Sequence, residues 1–182
     1  MAGEYGAVVG GDYALKVGDL LDERYGFHVF QISGQAPDAA TVPFGPGNDD
    51  KVRFDIVLDQ RIIDPTHIPQ RYKKIYYYCE CKWRTNNRDL KNQLKDFLKK
   101  ALKAMPHLER QHVNDYGFIF ISNKPFGIDQ VELQKIEIIT ELLNDPGLQA
   151  GEIARLCSKV SILFFSDWFL ETTAKGVTLE RR

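Results

Sequence analysis

Residues 75–83, IYYYCECKW, constrain the fold most, because an aromatic and apolar strand here contains a glutamate and a lysine two residues apart. Side chains two apart in a strand share a face, so Glu80 and Lys82 project together while Cys79 and Cys81 face the other way. Such charges are costly to bury unless they meet partners, a metal ion or solvent. The alternative is an intrastrand ion pair at a sheet edge, but the apolar run before it favours a central strand.

An aspartate repeats this pattern one strand earlier. The stretch KVRFDIVLD, Lys51–Asp59, alternates in the way that predicts a strand, with Asp55 between apolar neighbours. If the two strands are adjacent, Asp55 can face Glu80, and two converging carboxylates form the hard-oxygen shell that Mg²⁺ or Mn²⁺ prefers. A lysine beside that shell can position a metal-bound water and counter charge on a phosphate. The predicted strand has one apolar face made of Val52, Phe54, Ile56 and Leu58.

Three further acids compete with Asp55 for the role of strand acid. Asp59 shares its face but lies ~13 Å farther along the strand, so both cannot bind one metal. We favour Asp55, because Asp59 ends the strand and is expected to be solvated. Asp49 and Asp50 are interpreted as turn residues, although a loop acid could reach the same cleft.

The remaining periodicities predict one α/β domain over residues 1–182, with a mixed central sheet flanked by helices in the order α-β-β-β-α-β-α-β. Between the predicted strands the Gly- and Pro-rich stretch at 34–50 is expected to be a long loop, and residues 60–74 a wide connection. The other predicted elements are a helix at Gly11–Tyr25, strands at Phe27–Ser33 and Asp115–Asn123, a helix from Arg84 that ends at Pro106, a helix that stops at Pro146–Gly147, and a fifth strand within 159–173 that continues into a helical turn.

Composition excludes several classes of protein. The net charge of −1 means that any nucleic-acid binding needs a local basic patch. Three cysteines do not suggest a disulfide framework, and Cys79 and Cys81 are expected to be packing residues. The start of the chain lacks a leader pattern and no apolar run could span a bilayer, which predicts a cytoplasmic protein without a membrane partner. Motifs of serine hydrolases, phosphate-loop NTPases and dinucleotide-binding oxidoreductases are missing.

A basic stretch directly follows the strand that contains Glu80 and Lys82. Between Arg84 and Lys103 the chain has seven basic and two acidic residues. An ordinary solvated helix face is the alternative, but its place after that strand favours contact with a phosphate backbone. Five basic residues follow helical steps of three or four and are the predicted nucleic-acid-binding stripe: Arg84, Arg88, Lys91, Lys95 and Lys99.

The pattern FDIVLD…YYYCECKWR resembles the PD-(D/E)xK nuclease superfamily, which has the restriction-endonuclease-like fold, and is most similar to its Mrr-like branch. The resemblance extends through element order from about Gly10 to about Phe120. It implies that Asp55 and Glu80 are ligands of Mg²⁺ or Mn²⁺, that the Cys81 main-chain carbonyl is a further ligand, and that Lys82 is the catalytic lysine.

The resemblance implies a metal-dependent DNA endonuclease, and members of this branch often serve bacterial defence or DNA repair. It also implies that this domain is the effector part of a longer protein with fused sensor or specificity domains, and that it forms a homodimer or higher oligomer. Two alternatives are a degenerate nuclease-fold module that binds nucleic acid or protein, and a nuclease acting on RNA. Many Mrr-like members have a glutamate in the first helix where this chain has Ala14, and Asp12 and Asp19 lie at other angles of that helix.

Overall fold

Helices cover both faces of a mixed six-stranded sheet in the computed structural model, in agreement with the predicted α/β class. The structure describes residues 2–25, 28–32, 41–43, 51–64, 68–69, 71–84, 88–112, 116–124, 132–166 and 169–174. Its elements are α1 (Ala2–Tyr25), β1 (His28–Ile32), β2 (Thr41–Pro43), β3 (Lys51–Arg53), β4 (Ile56–Asp64), β5 (Arg71–Lys82), α2 (Leu90–His112), β6 (Tyr116–Ser122), α3 (Glu132–Leu143), α4 (Ala150–Lys159), β7 (Val160–Ser166) and β8 (Phe169–Ala174).

The strand containing Glu80 lies in the middle of the sheet, whose order is β1-β4-β5-β6-β7-β8. Strand β5 pairs antiparallel with β4 and parallel with β6, so both of its edges are hydrogen-bonded. In the β4–β5 register Ile56 lies opposite Cys79, and the next position brings Asp55 to Glu80. Strands β2 and β3 form a separate two-stranded sheet beside α2.

Two apolar layers divide the side chains of the sheet. On one side, which we call the α1 face, Tyr13, Val17 and Leu21 of α1 pack with Cys79 and Cys81 of β5. On the opposite side, the α2 face, helices α2, α3 and α4 cover Tyr78 and the aromatic residues of β6. Because side chains alternate along β5, Glu80 and Lys82 project on the α2 face.

The predicted strand at Lys51–Asp59 is interrupted, and its assignment to one apolar face is wrong. Residues 51–53 pair with β2, whereas β4 begins at Ile56 and pairs with β1 and β5. Phe54 packs in the α2 face, but Ile56 and Leu58 pack in the α1 face. Alternation alone could not reveal this change of face, because it depends on which strand each half of the segment pairs with.

Other boundaries also differ from the prediction. Helix α2 continues through Pro106 to His112, because the buried Leu108 keeps its last turns packed on the core. The predicted loop contains β2, and β4 and β5 extend into the predicted wide connection. In place of the last predicted strand the structure has two antiparallel strands, β7 and β8, and the described residues 160–166 and 169–174 contain no helical turn. Helix α4 precedes them. In the helices that the structure describes, we find none that is both long and apolar enough to cross a membrane.

Candidate functional site

Asp55 lies in the short bend that joins β3 to β4. The bend is anchored by Phe54, which is fully buried with ring centroids 5.5 Å from Tyr78, 6.3 Å from Phe97 and 5.8 Å from Phe118. The Asp55 amide donates to the Cys79 carbonyl at 2.9 Å. Its carboxylate in turn accepts a hydrogen bond from the Cys81 amide at 2.8 Å. Asp55 is therefore held at the end of β5 by both its main chain and its side chain.

Glu80 is a buried carboxylate surrounded by two ammonium groups. Only 4% of the residue is exposed. Its Oε1 lies 2.6 Å from Lys82 Nζ, which confirms that these two side chains project together. Lys100 Nζ, from α2, lies 3.0 Å from Oε1 and 3.1 Å from Oε2. The cost of burying this charge is offset by two charge-assisted contacts.

Lys100 also belongs to this cluster, and it is not part of the predicted basic stripe. Its ammonium also donates to the Arg53 carbonyl at 3.2 Å, so it joins α2 to the end of β3. A signal for it exists in the sequence: Lys100 follows Phe97 by three residues and precedes Ala104 by four, and both are buried. A lysine at that helical spacing lies at the margin of the apolar stripe and therefore approaches the sheet.

The charges of Glu80, Lys82 and Lys100 all affect the pKa of Asp55, so the four side chains form one electrostatic group. Burial raises the pKa of Asp55 above its usual value, and the Glu80 carboxylate raises it further. Lys82, the Cys81 amide and Lys100 oppose that rise. Asp55 therefore interacts with Glu80 and with both lysines, and two carboxylates and two ammonium groups balance in formal charge.

The side chains of Cys79 and Cys81 lie in the α1 face, on the side of the sheet opposite to Glu80. Burial raises the pKa of both thiols well above the usual value. The Cys81 amide points to Asp55, and the N–H and C=O of one strand residue point to the same side. The Cys81 carbonyl therefore faces the edge where Asp55 lies, as a carbonyl ligand would need to.

The available donors suit a hard cation with several water ligands. Among the described residues there is no group of three or more His, Cys, Asp or Glu side chains that could hold a metal ion. Two carboxylates and one carbonyl match Mg²⁺, which keeps several waters and binds proteins through one or two carboxylates. In this protein Asp55 and Glu80 could supply those carboxylates, but a metal would have to share Glu80 with its lysines.

The other acids considered from the sequence lie elsewhere. Asp59 is buried against expectation, faces Tyr76 across the ladder and pairs with Lys74 at 3.2 Å. Ala14 packs in the α1 face, on the side of the sheet opposite to Glu80, and Asp12 and Asp19 are exposed. A glutamate in place of Ala14 would put its carboxylate into the apolar layer that contains Cys79. Asp49 and Asp50 lie outside the described residues.

The basic stripe is shorter than predicted. The helix begins at Leu90, after the Asp89 carbonyl accepts the amide of Gln93, so Arg84 and Arg88 precede it. The Arg84 guanidinium donates to the Trp83 carbonyl at 2.8 Å, while Arg88 is exposed in a turn. On α2 itself Lys91 and Lys99 are exposed and Lys95 is half-buried.

Asn123 holds the chain as it leaves the site and was not identified from the sequence. Its side-chain amide accepts from the Arg84 amide at 2.7 Å and donates to the Arg84 carbonyl at 2.9 Å. Its own main-chain amide donates to the Lys82 carbonyl at 3.2 Å. These three bonds extend the pairing of β6 with β5 beyond Lys82 to Arg84.

Comparison of the chain with protein-family models, with curated proteins and with solved structures found no match.

Proposed function

We propose that this chain is a metal-dependent endonuclease with a restriction-endonuclease-like core that hydrolyses phosphodiester bonds in DNA. The observation that supports it best is the grouping of Asp55, Glu80 and Lys82 where β4 and β5 separate. The family that the sequence resembles has an aspartate and a Glu-x-Lys on adjacent strands, followed by a helix. Here Asp55 directly precedes β4, Glu80 and Lys82 end β5, and the basic helix α2 comes next in the chain.

Each residue of the group has a separate task in this proposal. Asp55 and Glu80, with the Cys81 carbonyl, would hold Mg²⁺ or Mn²⁺, which when bound supplies a Lewis acid for the phosphate and a more acidic water. The Lys82 ammonium lies 2.6 Å from Glu80, and only 19% of the Lys82 side chain is exposed. From there it can orient a water molecule and counter the charge that develops on the phosphate.

The basic residues of α2 supply a surface for the DNA backbone. Lys91, Lys95 and Lys99 lie on the helix that also places Lys100 beside Glu80. Lysines that neutralise phosphates contribute affinity without sequence specificity, and this contribution falls as salt rises. We therefore assign these three lysines to backbone binding next to the cleavage site.

The test is plasmid cleavage in Mg²⁺, Mn²⁺ or EDTA by wild type, Glu80→Gln and Lys82→Ala. We expect nicking or linearisation that needs a divalent metal and falls by about 10² or more in both variants. Lys74→Ala is the matched control, because Lys74 forms an ion pair with Asp59 on the same two strands but outside the group. Equal cleavage by all four proteins, or DNA binding without cleavage by wild type, would contradict the proposal.

A second candidate is a nuclease-fold module that binds nucleic acid without cutting it. The observation in its favour is that Glu80 contacts two lysines, so the group is balanced in charge without a metal. In that case wild type and Glu80→Gln would bind a labelled DNA duplex equally in EDTA, and neither would cut it in Mg²⁺. An RNA duplex of the same length distinguishes a nuclease that acts on RNA.

A further inference from the structure

Lys100 makes more contacts at the site than a surface lysine of a basic helix requires. Its ammonium has three N–H donors, and the structure gives it three acceptors: both oxygens of Glu80 and the Arg53 carbonyl. The Glu80 side chain is 5% exposed, whereas that of Lys100 is 34% exposed. The carboxylate is thus fixed within the core, and the lysine reaches it from the rim.

The two lysines hold Glu80 in different ways. Lys82 lies two residues along the same strand and approaches Oε1, while Lys100 reaches across from α2 and contacts both Oε1 and Oε2. A divalent cation shared by Asp55 and Glu80 needs an oxygen of Glu80 and places two positive charges beside the ammonium of Lys100. The cation and the Lys100 ammonium would repel each other because both are positive and both contact Glu80, so they compete for this carboxylate.

We propose that Lys100 is a positioning residue that holds Glu80 in the metal-free protein and sets the metal affinity of the site, because it must release the carboxylate when a divalent cation binds. This inference rests on the proposed metal site at Asp55 and Glu80, but it assigns a separate role to a residue outside the Glu-x-Lys pattern. Lys100 can leave because a third of its side chain already meets solvent, whereas Lys82 is more enclosed.

The experiment is calorimetric titration of Mn²⁺ into wild type, Lys100→Met, Lys103→Met and Glu80→Gln. Removal of the competing ammonium should tighten Mn²⁺ binding by Lys100→Met about tenfold or more, as expected for the loss of one charge in contact with the ligand carboxylate. Lys103→Met is the matched control, since Lys103 is an exposed lysine on the same helix that has no role in the proposed site, and it should bind Mn²⁺ as wild type does. Lys100→Arg retains the charge and should bind Mn²⁺ no more tightly than wild type.

A purely structural role would not tighten metal binding, so unchanged or weaker binding by a folded Lys100→Met overturns the inference. Lys100→Gln is the second variant if Lys100→Met does not fold, because it keeps a hydrogen-bond donor without the charge, and the same gain is expected. If Glu80→Gln binds as wild type does, the proposed metal site itself fails. If Glu80→Gln loses binding while Lys100→Met is unchanged, the metal site stands and the inference alone fails.

Weak binding by wild type does not prevent a decision. Binding that appears only in Lys100→Met and disappears in the Lys100→Met, Glu80→Gln double variant supports the inference directly. The absence of binding in both wild type and Lys100→Met overturns it.

Discussion

Truncation of Phe54 tests whether this side chain holds the bend that places Asp55. Phe54 is fully buried and its ring packs against three other aromatic rings. Removing a buried phenylalanine side chain costs about 3–5 kcal/mol, because the transfer energy is lost and a cavity is left. In a chain of this size each kcal/mol lowers the melting temperature by roughly 2–4 °C. We therefore expect Phe54→Ala to melt about 6–20 °C below wild type.

The assay is urea unfolding followed by circular dichroism, with thermal melts in parallel. Phe54→Leu keeps much of the apolar volume but loses the ring contacts, and should cost about 1–2 kcal/mol. Leu15→Ala is the control, since 43% of Leu15 is exposed on α1 and its loss should cost little. A loss below about 1 kcal/mol for Phe54→Ala would refute the reasoning that the aromatic cluster anchors the bend.

Three further predictions concern the site and its surroundings. Because the pKa of Asp55 is raised, its contribution to stability is full below its ordinary pKa of 3.8 and is lost as the pH rises through the raised value. Without metal, Asp55→Asn should therefore be more stable than wild type at neutral pH in urea unfolding, and equal or lower stability would contradict this. Replacing Lys91, Lys95 and Lys99 with alanine should weaken DNA binding and reduce its salt dependence by about three counterions, measured by fluorescence anisotropy from 50 to 200 mM salt. Asn123→Ala should cost about 1–3 kcal/mol in urea unfolding, because the Arg84 amide and carbonyl lose their partner.

Part of the site could be predicted because it depends on local spacing. The alternation within β5 placed Glu80 and Lys82 together, and the contact of 2.6 Å confirms that. The apolar run before Glu80 indicated a central strand, and β5 is hydrogen-bonded on both edges. The position of Asp55 beside β5 also follows from the pairing of two consecutive strands.

The rest depends on contacts between distant segments. The change of face at Phe54 arises because β3 pairs with β2 while β4 pairs with β1, and no pattern within residues 51–59 records those partners. Lys100 was missed because the basic residues were grouped by their steps along the helix, and Lys100 falls one position after Lys99, about 100° around it. Its role is visible only once α2 is packed on the sheet.

The register of the ladder between β4 and β5 decides on which face of the sheet Glu80 lies. Its register starts at Ile56 opposite Cys79 and ends at Asp64 opposite Arg71. A slip of one residue would turn Glu80 into the apolar layer of α1 and bring a cysteine to the α2 face, because side chains alternate with a period of two. Insertion of a single residue within either strand would likewise move every side chain between the insertion and the site to the opposite face of the sheet. The connection between the two strands can therefore change in length without disturbing this cluster. Within the strands, a change in length preserves the cluster only if the number of residue pairs up to Glu80 stays the same.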